Sequence, residues 1–224
     1  MKVCTDACLF GAVTANHKLQ TTNCLDIGTG TGILSLMLAQ KNSSVKIDAV
    51  EIDTDTALQA KENVAASPWA DRIHIFNEDI LSFDPGLQDS VSKQYDCIIS
   101  NPPFFEDDLL SPDKAINKAR HNKSLSLIQL LQIMDKQLTA DGFFAVLLPY
   151  KRVEYFITEA TRVGFNLYKQ ILVKQTMKHK FFRGILFFSR KEKEPENSEI
   201  IIKDTDQNYT ANFIALLKDY YLYL

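Results

Sequence analysis

Short apolar runs rich in β-branched residues alternate along the chain with segments whose apolar positions recur every three or four residues. The runs at 23–27, 46–51, 73–76, 95–100, 142–148, 166–173 and 183–188 predict strands. Helical spacing marks 32–41, 55–66, 124–138 and 153–163; in the third, Leu127, Leu130, Leu131 and Met134 fall on one face. Strands apolar almost throughout, each followed by a helix, predict a parallel sheet covered on both sides. A short link joins the last two strands, which predicts an antiparallel edge. The expected fold is a Rossmann-like α/β sheet of seven strands, mostly parallel, with one antiparallel edge strand and helices on both faces. Residues 189–199 are charged, contain Pro195 and read as a surface loop, followed by a short strand at 199–203 and an amphipathic helix at 211–222. The chain, residues 1–224, reads as one domain, with 1–20 as an N-terminal cap segment and 189–224 as a C-terminal extension.

Composition changes this picture little. The 224 residues are 46% hydrophobic and 24% charged, ordinary for a soluble globular protein. A net charge of -3 excludes a uniformly basic nucleic-acid coat protein but permits a local basic patch. Cys4, Cys8, Cys24 and Cys97 form no CxxC pair and read as reduced packing residues of a reducing compartment. The apolar stretch 7–15 imitates a signal peptide, but Asp6 interrupts the charge pattern and Lys2 is the only cation before it. No run approaches the roughly eighteen apolar residues a membrane helix needs. A cytoplasmic protein without a membrane partner is expected. The four histidines lack ligand spacing, so no metal is expected.

Strand one runs into Asp26-Ile27-Gly28-Thr29-Gly30-Thr31-Gly32. Glycines at a strand-to-helix turn let a ligand approach the backbone closely. The dinucleotide fingerprint would place its third glycine at position 33, where Ile33 stands. Asp26 would repel a pyrophosphate but can hold the ammonium end of a methionine. Glu51, twenty-three positions beyond Gly28 and at the end of strand two, is placed to accept from ribose hydroxyls. Asp79, after strand three, can accept from an adenine amine, although an acid there can equally cap a turn. A ribose without a phosphate points to S-adenosylmethionine rather than NAD.

Strand four ends in Asn101-Pro102-Pro103-Phe104. An amine conjugated to a purine is a poor nucleophile because its lone pair is delocalised. Two acceptors aimed at its N–H groups draw the nitrogen toward tetrahedral geometry and free that pair. The Asn101 side-chain oxygen and the Pro102 carbonyl can serve, with proline fixing the backbone, and Phe104 can stack on a base turned out of its stack.

With these residues in view, the chain resembles the bacterial tRNA(Val) adenine-37 N6-methyltransferases, which modify the base beside the anticodon. Met1-Lys2-Val3-Cys4-Thr5-Asp6 is similar to the family's M-K-V-G-T-D opening, with Cys4 where glycine is common. Leu25–Gly32, Val50–Asp53, Asn101–Phe104, Ser111-Pro112-Asp113, Ala119-Arg120-His121 and Ser124-Leu125-Ser126 are similar to family segments, as is the tail with Tyr209, Thr210, Phe213 and Tyr220. Members of the family usually extend further ahead of the M-K-V segment. The resemblance implies a class I methyltransferase fold and methyl transfer from S-adenosylmethionine to adenine N6. It implies cofactor contacts at Thr5, Asp26, Gly28, Gly30, Gly32, Glu51, Ile52, Asp79, Ile80 and Asn101, with catalysis at Asn101, Pro102, Pro103 and Phe104.

Two basic clusters suit a tRNA substrate held by its anticodon loop: Lys114, Lys118, Arg120, His121 and Lys123, and then Lys174, Lys178, His179, Lys180 and Arg183 with Phe181 and Phe182 between. A monomer is expected. The rival readings are a protein glutamine N5-methyltransferase, since the same motif handles a planar amide, and a catalytically idle RNA-binding subunit of the same fold. The basic clusters favour RNA over the first, and an intact Asn101 argues against the second.

Overall fold

A computed structural model describes residues 4–17, 23–85, 94–102 and 125–223. Eight strands form one sheet: β1 (Asn23–Ile27), β2 (Lys46–Val50), β3 (Ile73–Phe76), β4 (Tyr95–Ser100), β5 (Leu138–Pro149), β6 (Asn166–Lys174), β7 (Phe181–Ser189) and β8 (Glu196–Ile201). Their order is β3-β2-β1-β4-β5-β7-β6-β8. Two expectations need correction. The sheet has eight strands rather than seven, and the antiparallel strand, β7, lies between β5 and β6 rather than at the edge. The β6–β7 hairpin turns back toward β5, so the link that suggested an edge instead inserts β7. The open side of β6 is then covered by β8, which pairs with it in parallel from Lys169↔Glu196 to Lys174↔Ile201. Residues 196–199 of the charged stretch read as loop therefore belong to this strand. Its first four residues, Glu196 to Glu199, are exposed, and charge on an edge strand discourages pairing with another chain.

The helices are α1 (Thr5–Ala15), α2 (Ile33–Lys41), α3 (Thr54–Ala65), α4 (Leu127–Gln137), α5 (Tyr150–Arg162) and α6 (Ala211–Leu217). Asp53 caps α3 by accepting from the Thr56 backbone N–H, and Ser126 with Gln129 closes a capping box at α4. The helix expected to reach 222 stops at Leu217, whose carbonyl accepts from the backbone N–H groups of both Tyr220 and Tyr221. Alternation along the strands splits the interior in two. Cys97, Ala145, Leu147, Ile185 and Phe187 meet α1, α2 and α6 on one face. Leu25, Ile98, Phe144, Val146, Leu186 and Phe188 meet α4 and α5 on the other. Among the described residues no helix is long and apolar enough to cross a membrane.

The cap segment contains an unforeseen helix. In α1 every residue from Ala7 to Thr14 is buried, so it has no polar face and offers no helical periodicity to read. It lies against α2 where Gly11 faces the Met37 thioether, and an ion pair from Asp6 to Arg183, 2.7 Å, ties its first turn to β7.

At Gly184 the strand passes directly beneath α5: a Cβ there would stand 2.5 Å from Val153 Cγ2. Gly184→Ala should therefore destabilise the protein by about 1–3 kcal/mol, the range for forcing a methyl into a packed core. Equilibrium urea unfolding measures this, and an unchanged midpoint would mean that α5 can lift without cost.

Candidate cofactor and catalytic site

Register brings the site together. Phe76 pairs with Val50, Val50 with Ile27 and Ile27 with Ser100. The next residues, Asn77, Glu51, Gly28 and Asn101, therefore stand side by side at the carboxyl ends of four adjacent parallel strands. Three strand spacings span about 14 Å, long enough for a nucleoside extended by an amino-acid tail. Chain order reverses between β1 and β4, and such a switch point leaves a crevice where ligands of open α/β sheets bind.

Gly28, Gly30 and Gly32 all have positive φ, at 68°, 61° and 84°, so side chains would strain this loop at each turn. A Cβ on Gly28 would meet no described residue within 4 Å, which leaves room for a ligand to approach the backbone. The loop is fastened from below. Its Gly28 and Thr29 N–H groups donate to the Val50 carbonyl, and the Asn63 side-chain amide donates to the Thr31 carbonyl. Glu51 holds it from the side: Oε2 accepts from Gly30 N–H at 2.9 Å and Oε1 from Asp53 N–H at 3.0 Å. Each oxygen retains a lone pair for a hydroxyl.

Asp26 is fully buried beneath the loop. Its Oδ2 accepts from the hydroxyls of Thr29 at 2.6 Å and Ser35 at 2.7 Å, while the buried Oδ1 has no partner among the described residues. Burial pushes its pKa up to about 6, which leaves an anion at neutral pH. A buried carboxylate oxygen without a donor suits an ammonium group.

Beyond Glu51, Ile52 exposes 54% of its surface, an apolar plate at the mouth of the crevice. Asp79 Oδ1 accepts from Leu81 N–H at 2.9 Å, so it does close a turn, with Oδ2 remaining for a ligand. Ile80 is buried in the core behind it. Thr5 lies in the first turn of α1, beside the Asp6–Arg183 pair. On β4, Asn101 follows Ser100, whose hydroxyl donates to the Ile27 carbonyl at 2.9 Å. Asn101 Oδ1 is buried and has no hydrogen-bond partner among the described residues. Pro102, which follows, is buried, whereas Pro103, Phe104 and the first basic cluster lie outside the described residues.

The second basic cluster divides. Arg183 pairs with Asp6, and Lys174 pairs with Glu199 at 3.0 Å. Lys178, His179 and Lys180 are exposed at the tip of the β6–β7 hairpin, which opens at the same end of the sheet as Asn101. His179 is fixed by a 2.8 Å contact between its Nδ1 and the Thr176 hydroxyl.

Sequence reasoning missed three contributors. Asn77 Nδ2 donates to the Glu51 carbonyl at 2.9 Å and sets the exit of β2; an asparagine directly after a strand was the available signal. Thr29 and Ser35 hold Asp26, and two hydroxyls within nine residues of a buried acid were the signal there.

The methyltransferase small domain family matches residues 7–125. A tRNA1(Val) (adenine(37)-N6)-methyltransferase of Photorhabdus laumondii subsp. laumondii is 41% identical over all of this chain and 89% of its own length. One from Trichodesmium erythraeum is 40% identical over 99% of this chain and 91% of its own. Among solved structures, a predicted O-methyltransferase from Agrobacterium tumefaciens shares the fold at a TM-score of 0.73, covering 95% of both chains at 13% identity. A glycopeptide N-methyltransferase complexed with S-adenosylmethionine does so at 0.59, covering 85% of this chain and 96% of its own at 11% identity. With that crevice and these relatives, the chain belongs to the tRNA1(Val) (adenine(37)-N6)-methyltransferase family of S-adenosylmethionine-dependent enzymes.

Proposed function

We propose that this protein methylates the exocyclic N6 amine of adenine 37 in the anticodon loop of tRNA1(Val), as its relatives' names describe for them. The observation that carries the reading is the buried Oδ1 of Asn101, without a partner among the described residues and level with the glycine loop. An acceptor so placed lacks only a donor such as an aromatic amine.

The site residues take these roles. Glu51 accepts from the ribose hydroxyls, Ile52 and Ile80 line the adenine, Asp79 accepts from its amine, and Asp26 faces the ammonium group across the opening over Gly28, with Gly30 and Gly32 shaping that wall. Thr5 closes the site from α1. When bound, the cofactor supplies a methyl group on a positively charged sulfur. Asn101 Oδ1 and the Pro102 carbonyl accept from the two N–H groups of the substrate amine, and Pro103 keeps that carbonyl aimed while Phe104 stacks on the flipped base. Held by these two acceptors, the amine would be in line to take up that methyl group and would release one proton to solvent.

The enzyme works as a monomeric single domain in the cytoplasm, where a tRNA substrate is found; the charged edge strand β8 supports the monomer. Its RNA backbone runs along the hairpin cations. Methyl transfer from labelled cofactor to unmodified total tRNA, followed by nucleoside analysis, tests the reading. N6-methyladenosine in tRNA1(Val) is the expected product, and label confined to protein glutamine would overturn it. In the same assay the double variant Lys178→Ala/Lys180→Ala should raise KM for tRNA and flatten its log–log salt dependence by about 1.4, two single-strand phosphate contacts at about 0.7 each. An unaltered salt slope would place the RNA on another surface.

A further inference from the structure

We propose that Tyr150 is the stacking platform for a nucleotide flanking the target base. This rests on the RNA reading above and adds a residue to it. Tyr150 begins α5 directly after β5, with 45% of its surface exposed. Scattered exposed aromatics are ordinary, but this ring is not isolated. The Phe181 ring backs it at 5.5 Å, and Lys174 Nζ lies 5.1 Å from the centre of Phe181. Beyond them the hairpin presents Met177, 60% exposed, with Lys178 and Lys180.

Register gives the distance from the chemistry. Ser100 pairs with Val146, so Asn101 is level with Leu147, on the neighbouring strand. Tyr150 is three residues further along, about 10 Å at the strand rise. A base swung out toward Asn101 leaves its neighbour at this height, one strand over, on the side where the cations lie. An aromatic face with flanking cations is the arrangement that single-stranded RNA loops select, because any base can stack while its phosphates meet the lysines. The backing by Phe181 and the seating of α5 over Gly184 hold the ring in place, so little ordering remains to be done when RNA arrives.

The test compares Tyr150→Leu and Tyr150→Phe. Leucine retains the apolar contact with Phe181 and removes the π face; phenylalanine retains the face and removes only the hydroxyl. With the anticodon stem-loop of tRNA1(Val), Y150L should raise KM by about tenfold, within the roughly five- to a hundred-and-fiftyfold that losing one base–aromatic stack costs. Its single-turnover rate at saturating RNA and its cofactor affinity should stay within twofold of wild type, and Y150F should restore KM. A stem-loop carrying 2-aminopurine beside the target adenine should lose fluorescence on binding wild type and Y150F but not Y150L. A KM within twofold of wild type in Y150L, or equal impairment of Y150F, overturns the platform while leaving the methylation reading intact. A wild-type enzyme inert toward every tRNA overturns both.

Discussion

Replacing Asn101 with alanine is expected to slow methyl transfer about a hundred- to a thousandfold while cofactor and tRNA still bind. The loss of one preorganised group that stabilises a transition state has that magnitude. It should appear in kcat, because the amine demands its acceptor only as its nitrogen becomes tetrahedral. The structure adds a reason to expect the upper part of the range: Oδ1 is buried and has no competing donor among the described residues, so it needs no reorganisation before it acts. Folding should be little affected for the same reason, since no hydrogen bond with another described residue is removed at that atom. Asn101→Asp retains an acceptor and adds charge, and partial activity is expected. Single-turnover transfer at saturating cofactor isolates the step, and an alanine variant within threefold of wild type would remove Asn101 from the chemistry.

Glu51→Ala should weaken cofactor binding by about 2–3 kcal/mol, or roughly thirty- to a hundred-and-fiftyfold in Kd. Two losses combine. The ribose hydroxyls lose a charged acceptor, and the glycine loop loses its lateral anchor, because Gly30 N–H donates to Oε2. Glu51→Gln separates them. Its amide retains one acceptor oxygen but turns an NH2 toward a backbone donor, so affinity should fall nearly as far as in the alanine variant. Calorimetric titration with the cofactor and its demethylated product decides this. Wild-type affinity in Glu51→Ala would mean that the ribose lies elsewhere.

Most of the sheet was legible in the sequence because parallel strands buried on both faces are apolar throughout, as Ile98 and Ile99 in β4 illustrate. Elements without contrast were not. In α1 the residues from Ala7 to Thr14 are buried all round, and a helix with no polar face resembles a signal segment more than an amphipathic one. The start of strand β8, ahead of the strand expected at 199–203, was hidden for the opposite reason: Glu196 to Ser198 are exposed and polar, and only pairing with β6 makes them a strand. The site divides similarly. Glycines with positive φ and an acid at a strand end have sequence signatures. The partners of Arg183 and Lys174 do not, since the ion pair to Asp6 closes over 177 residues of chain. Cations grouped in sequence as one RNA patch are thus divided in space between structural pairs and the exposed Lys178 and Lys180.

That long closure bears on how the protein comes off the ribosome. The first helix docks on a face completed by β6 and β7: Asp6 meets Arg183, and His17 meets the Tyr168 hydroxyl 151 residues later. At synthesis rates of about 5–20 residues per second, its apolar surface waits roughly 10–35 s for that seat. Contacts of such sequence separation form late and slow the folding of the whole domain. Nascent chains halted before β7 emerges should therefore expose α1 to chaperones and proteases, whereas chains halted beyond it should shield the helix.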